Sequence, residues 1–303
     1  MPSIKSPLLS GALAVGLGLL AACGDSSDTS DKTPDRLSVV ASTNVYGDIA
    51  RQIGGDKVAV TSIISDPGQD PHSYEADTRT QLELSKARVV IENGGGYDDF
   101  VDTMLKASGN STAAVLNAVD VSGKKAPADG ELNEHVWYDL PTVAALADRV
   151  AAALGAADPA GKAAFTANAT AFKAALKPLA DKTAAVKAAH AGTGVAITEP
   201  VPGYLLDAAG LKNETPEAFS EAIEEGDDVP PRVLQQTLAL FTGKKVKALV
   251  YNAQTSGPET EKVEQAAKDN GVAIVPVTET LPSGKTYQQW MGATIDALQG
   301  ALS

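Results

Sequence analysis

Cysteine is almost absent from this chain. Cys23 is the only one in 303 residues, so no intramolecular disulfide can close and the fold must rest on its buried core. Histidine is nearly as scarce, at three residues. Positive charge is in deficit: 25 Lys and Arg against 38 Asp and Glu give a formal net charge of -13. That balance excludes a nucleic-acid binder, which needs clustered Lys and Arg. It mildly favours capture of cations over anions, although most of these acids serve solubility. The N-terminal apolar run, Leu8 to Leu20, is shorter than the about 20 residues a membrane-spanning helix requires. No Gly-x-x-x-x-Gly-Lys-Ser/Thr pattern occurs, so the glycine-rich Asn93-Gly94-Gly95-Gly96-Tyr97 is expected to be a tight turn and not a phosphate cradle.

What is present starts with a targeting segment. Lys5 supplies a basic start, the apolar run follows, and Leu20-Ala21-Ala22-Cys23-Gly24 ends it in small residues of the kind cut by signal peptidases. A plain secretory signal is one reading. The small residues before a cysteine also resemble a lipobox, which makes 1–22 a lipoprotein signal peptide and Cys23 the lipid-bearing first residue of the mature chain. Asp25 to Asp35 is rich in Ser, Thr and Asp and cannot bury apolar area, so 23–36 is expected to be a flexible tether.

Beyond the tether, about 270 residues suffice for two modest lobes or one large domain. Leu37 to Ala41, Val58 to Ile64, Val89 to Glu92 and Ala114 to Asn117 read as strands. Val45 to Ile53, Thr78 to Lys86, Asp98 to Ala107 and Thr142 to Leu154 read as helices. The alternation returns with strands at Val195 to Thr198, Ala248 to Tyr251 and Ala273 to Val277, and helices at Arg232 to Phe241, Glu259 to Asn270 and Tyr287 to Leu302. Apolar strands alternating with helices imply parallel sheets covered on both faces. The Ala- and Lys-rich Pro159 to Ala189 lacks a strand-like run. Asp158 before Pro159 resembles a helix start, and Pro178 is expected to kink or interrupt the helix. The predicted class is α/β, with two lobes, each a mainly parallel sheet flanked by helices, at 37–157 and 191–303, joined by a long backbone helix at 158–190.

Ligands of open α/β sheets bind outside the carboxyl ends of the strands. His72, in Asp70-Pro71-His72-Ser73-Tyr74-Glu75, follows the second strand. His135, in Asn133-Glu134-His135-Val136-Trp137-Tyr138-Asp139, precedes the Thr142 helix. Glu199 and Glu279 each follow a strand of the second half. Imidazole and carboxylate are metal donors, and a ligating imidazole usually gives its second N–H to a carboxylate or carbonyl. Asp70, Glu75, Glu134 and Asp139 are candidates for that supporting role.

These motifs, with Gly203-Tyr204-Leu205, Ala209-Gly210-Leu211, the opening Ala41-Ser42-Thr43-Asn44-Val45-Tyr46 and the terminal Tyr287 helix, resemble the metal-binding solute-binding lipoproteins of bacterial zinc and manganese ABC importers (cluster A-I). The resemblance covers residues 37 to 302. It implies two α/β lobes holding one divalent cation as the transported ligand, with His72 and His135 as the first two ligands. Glu199 takes the third position, where zinc-type members often carry histidine and manganese-type members glutamate. Glu279 stands in the fourth position, usually aspartate. The histidine-rich loop of many zinc-type members is absent. Two imidazoles and two carboxylates neutralise a divalent ion and suit manganese, while intrinsic affinity rises toward zinc, so Mn2+ and Zn2+ both stay open with a lean to manganese.

The resemblance further implies an extracytoplasmic protein held at the cell membrane by lipid on Cys23, monomeric, partnered by an ABC permease and without enzymatic activity. Two alternatives carry different tests. A metal hydrolase needs an open position for water, and a surface adhesin of the same fold needs a matrix partner. His190 is expected to interact with the carbonyls at the end of the backbone helix. The acidic run Glu221, Glu224, Glu225, Asp227 and Asp228 reads as a solvated loop. Tyr46, Trp137, Tyr138 and Trp290 read as packing residues.

Overall fold

The computed structural model describes residues 36–303 apart from 67–73, 76 and 129. The signal peptide, Cys23 and nearly all of the tether therefore lie outside the described residues. The first half runs β1 (Leu37–Thr43), α1 (Asn44–Gly54), β2 (Val58–Ile64), α2 (Thr78–Lys86), β3 (Val89–Glu92), α3 (Phe100–Ser108), β4 (Ala114–Asn117), α4 (Ala118–Ser122) and α5 (Leu140–Ala157). The long helix α6 (Lys162–His190) follows. The second half runs β5 (Gly194–Ile197), α7 (Gly203–Ala208), β6 (Lys212–Asn213), α8 (Glu217–Glu224), α9 (Pro231–Thr242), β7 (Ala248–Asn252), α10 (Pro258–Asp269), β8 (Ala273–Val277) and α11 (Tyr287–Leu302).

Among the described residues the strands form two four-stranded sheets, ordered β2-β1-β3-β4 and β6-β5-β7-β8, with every pairing parallel. Consecutive residues point to opposite faces of a strand, and here both faces are covered. Val39 and Ile91 pack with α1 and α5, while Val40 and Val90 pack with Leu84 and Val101 from α2 and α3. That is why the central runs Val39-Val40-Ala41 and Val89-Val90-Ile91 are continuously apolar instead of alternating. The second sheet repeats the order of the first. Each has its switch point between its two central strands, β1 and β3 or β5 and β7, where a crevice opens at the carboxyl ends.

The largest apolar cluster is continuous across both sheets. It joins Ile49 of α1, Leu146 of α5 and Phe172 of α6 to Val195 of β5, Val250 of β7 and Trp290 of α11. Hydrogen bonds reinforce that seam. Asn44 exchanges two with Leu281, donating to its carbonyl at 2.9 Å and accepting its N–H at 2.7 Å. Tyr138 donates to the Thr278 carbonyl at 2.7 Å, and Tyr287 donates to the Trp137 carbonyl at 2.7 Å. Tyr46, Trp137, Tyr138 and Trp290 are all buried, as their reading as packing residues expected. α5 is apolar and long enough to cross a bilayer by composition, yet Val143, Leu146, Val150 and Leu154 lie in the core.

Two expectations about the long helix, that Pro178 could interrupt it and that it starts at Asp158, are corrected. α6 is a single 29-residue helix with Pro178 inside it, about 44 Å long at 1.5 Å per residue. Pro178 and Ala174, whose carbonyl loses its intrahelical donor, both lie on the exposed face. The buried stripe of Phe165, Phe172, Leu176, Leu179 and Val186 holds the helix together across the proline. The helix begins at Lys162 and not at Asp158. Asp158 caps the end of α5 and closes a turn, its carboxylate accepting the Ala160 N–H at 3.1 Å and its carbonyl the Gly161 N–H at 3.1 Å.

The acidic run expected to be a loop is in part α8. Phe219 is fully buried with Ile223 packed beside it, one helical turn apart. Charges around those two apolar positions obscured the period.

Glu92 ends β3 with 6 % exposure, and Asn117 donates to its carboxylate at 2.9 Å. Burial pushes this carboxyl from 4.5 up to about 7, and Asp102, Asp98 and Asp120 add to the push. The folded state thus holds a proton that the unfolded chain has released, so stability from this group is full below about pH 4.5 and is lost as pH rises through 7. Glu92→Gln keeps the acceptor and removes the titration. Urea unfolding is expected to show the variant level with the parent at pH 4 and more stable at pH 8. An equal difference at both pH values rejects this account.

Candidate metal centre

The site is built at the carboxyl ends of both sheets. His135 enters from the connection after α4 and is followed at once by a 3-10 turn, Val136–Tyr138. The imidazole is fully buried, with the Trp137 ring 5.0 Å and the Tyr97 ring 6.0 Å away, centroid to centroid. The side-chain carbonyl of Asn133 accepts the His135 backbone N–H at 3.0 Å and lies 2.9 Å from Nδ1. That contact places the proton on Nδ1 and turns the Nε2 lone pair inward.

Glu199 follows β5 and Asn252 ends β7, so the pair marks the switch point of the second sheet. Glu279 follows β8. Both carboxylates are buried, at 2 % and 1 % exposure. One amide serves both: Asn252 Nδ2 donates to Glu279 Oε1 at 2.9 Å and to Glu199 Oε2. From the first half, the Tyr97 hydroxyl donates to Glu279 Oε2 at 3.1 Å. Glu199 Oε1 has no hydrogen-bond partner. Burial pushes the Glu199 carboxyl from 4.5 up to about 8; the Asn252 bond opposes this, and the Glu224 and Glu279 charges add to it.

Carboxylates approach Nε2 from two directions. Glu224 Oε1 is 3.2 Å away and Glu279 Oε2 is 3.9 Å away. A lone pair facing carboxylate oxygens is repulsive unless a proton or a metal ion lies between them. Two donors each about 2.1 Å from an ion are about 3.0 Å apart at a right angle and about 3.4 Å apart at the tetrahedral angle, so 3.2 Å fits a shared ion. Glu134, His135 and Glu224 each offer a ligand atom, all within 4.8 Å of one another.

The structure brings His135, Glu199 and Glu279 together. His72 lies outside the described residues, as do Asp70 and Cys23. The supporting acids fall differently from expectation. Glu75 is exposed. Asp139 caps α5 by accepting the Thr142 N–H at 3.0 Å and pairs with Lys124 at 3.3 Å. The orienting role goes to amides instead. Asn133 takes through its amide carbonyl the place expected of a carboxylate beside His135, and Asn252 holds the two glutamates, a role that no sequence motif marks. Glu224 was missed because its helix was read as loop.

Local backbone choices hold these amides. Gly94, Gly95 and Gly96 all have positive φ, and Asp98 accepts the Asn93 and Gly94 N–H groups at 2.6 and 2.8 Å. The expected tight turn is thus present, and it delivers Tyr97 to Glu279. Asn133 Nδ2 donates to the Pro200 carbonyl at 2.9 Å, beside Glu199. A Cβ on Gly203 would come within 2.6 Å of that nitrogen, so only glycine permits the approach.

A groove of about 1070 Å³ leads away from Glu224. Its walls carry acids from both halves, Glu131 and Glu134 facing Glu217, Glu221 and Asp227, with Lys125 the single cation among the described lining residues.

Two parallel sheets, a long helix between them and buried donors converging from both halves define a substrate-binding protein of the two-lobed kind. The model of the family described as "ZnuA: Zinc-uptake complex component A periplasmic" matches residues 39–301. The chain belongs to that family. Similar curated proteins include the manganese-binding lipoprotein MntA of Bacillus subtilis, 28% identical over 286 residues that cover 92% of this chain and 90% of that protein. Another is the iron ABC transporter substrate-binding lipoprotein MtsA of Streptococcus pyogenes serotype M6, 28% identical over 317 residues and covering 99% of each. The crystal structure of ZnuA superposes with a TM-score of 0.75 at 19% identity, covering 89% of this chain and all of that one. That likeness supports the fold.

Proposed function

We propose that this protein captures one divalent transition-metal ion, Mn2+ or Zn2+, between its lobes and hands it to the permease of an ABC importer, with no catalytic step. The observation that carries this reading is the convergence of a buried imidazole nitrogen with buried carboxylates from the other half of the chain. His72, His135, Glu199 and Glu279 are the proposed ligands, and the metal is the cargo. These residues supply at least four protein donors, whereas a hydrolytic metal site has about three and keeps a position for water. The protein acts as a monomer outside the cytoplasm, held to the membrane through lipid on Cys23. Names of relatives as manganese- and iron-binding lipoproteins support both the cargo and the anchor.

The direct test is elemental analysis of protein purified without added metal, followed by titration of the stripped protein with Mn2+ and Zn2+ in competition. One ion per chain is expected. Failure to bind either ion at micromolar concentration rejects the proposal.

Asn133 offers a finer check. Its carbonyl fixes the His135 tautomer, and outer partners of this kind are worth about 10–100-fold in metal affinity. Asn133→Ala is therefore expected to weaken binding by about that factor in calorimetry, with the stoichiometry still one. Unchanged affinity removes Asn133 from the site.

A further inference from the structure

We infer that Glu224 is itself a metal-ligating residue, an additional carboxylate donor that biases the site toward Mn2+ over Zn2+. This rests on the metal-capture reading of the same site. Of the two carboxylates measured against His135 Nε2, Glu224 is the nearer, at 3.2 Å against 3.9 Å for Glu279. Its separation is the one that matches two donors on one ion.

Its setting makes little sense otherwise. The side chain is 5 % exposed, although the residue closes a helix whose flank is solvated. It is the last residue of α8, where the helix dipole places negative charge and disfavours a carboxylate. It also faces the buried acids Glu199 and Glu279, with Glu134 at the rim. Several carboxylates gathered at a helix C-terminus concentrate negative potential at one point, which attracts a cation.

The placement is built in. Phe219 and Ile223 anchor α8 in the core of the second half. Gly226, with φ of 68°, ends the helix, and the Asp227 N–H returns to the Ala222 carbonyl at 2.8 Å. Those bonds fix the last turn, and Glu224 with it. A second feature points to an ion independently: Glu199 Oε1 is buried and without a hydrogen-bond partner.

The consequence is chemical. With Glu224 the donors become richer in oxygen and exceed four. Carboxylate oxygen and higher coordination suit manganese, whereas zinc is content with four ligands and favours imidazole.

The experiment compares the parent, Glu224→Gln, Glu224→Ala and His135→Ala, each stripped of metal and titrated with Mn2+ and with Zn2+. Co2+ is added as a probe of coordination number through its visible absorption. For both Glu224 variants, Mn2+ affinity is expected to fall at least tenfold, with a smaller loss for Zn2+. The Co2+ bands should intensify toward the four-coordinate pattern. The near-isosteric Glu224→Gln decides the matter if Glu224→Ala unfolds. Unchanged Mn2+ affinity in Glu224→Gln, with binding lost in His135→Ala, overturns the role of Glu224 and leaves metal capture standing. Equal losses for the two ions overturn the manganese bias. Normal binding by His135→Ala overturns metal capture at this site.

Discussion

Replacing His135 with alanine is expected to weaken metal binding by about thirtyfold to a thousandfold, because binding worth about 10–16 kcal/mol shared over four or five donors comes to roughly 2–4 kcal/mol per donor. Trp137 and Tyr97 pack against the imidazole, and its loss removes the nitrogen donor that the flanking carboxylates face. Metal at a hundred times its dissociation constant stabilises the folded state by about 2.7 kcal/mol, which is roughly 5–10 °C in melting temperature for a chain of this size. At the same metal concentration a variant weakened a hundredfold retains about 0.4 kcal/mol of that gain. The parent should therefore melt several degrees higher with Mn2+ or Zn2+ present, while His135→Ala should hardly respond. A full thermal response in the variant places the ion elsewhere. A lower melting temperature without metal reports only the lost packing, so the metal-induced difference is the quantity to compare.

The second large effect concerns location. Cys23→Ala is expected to move the protein from the membrane fraction to the soluble fraction without changing metal affinity. Each buried methylene of an acyl chain contributes about 0.8 kcal/mol, and two or more chains hold a protein stably where one does so only marginally. Among the described residues, the one helix long and apolar enough to cross a bilayer is α5, whose apolar face is packed in the core. Fractionation of cells expressing the parent and the variant decides it. Retention of Cys23→Ala at the membrane assigns anchoring to some other segment. Metal affinity should stay the same because Glu199, Glu279 and His135 all lie more than a hundred residues downstream.

The backbone was more legible than the site. Val89–Glu92 was readable because a central parallel strand buried on both faces carries an unbroken apolar run, and the edge strands Val58–Ile64 and Ala273–Val277 were readable from their β-branched residues. α11 was readable from its periodic Tyr287, Trp290, Met291 and Ile295. The short β6, at Lys212–Asn213, carries no apolar signal because both residues are exposed. α8 was hidden by its charges. Among the site residues, Glu199 and Glu279 were visible as acids just past strands. Asn133, Asn252 and Glu224 were not, because their roles depend on which loops the two sheets bring together, and one-dimensional spacing does not contain that.

The long α6 has a mechanical consequence. A domain hinge is a few loop residues that absorb a large change in backbone angles. Here the link is a continuous helix whose buried stripe belongs to a core shared by both halves. Such a link is stiff in bending and transmits torque, so it suppresses the wide clamshell gape of loop-hinged receptors. Loaded and empty forms must then differ by small displacements near the cargo, and a downstream transporter has only a subtle surface cue by which to tell a full carrier from an empty one.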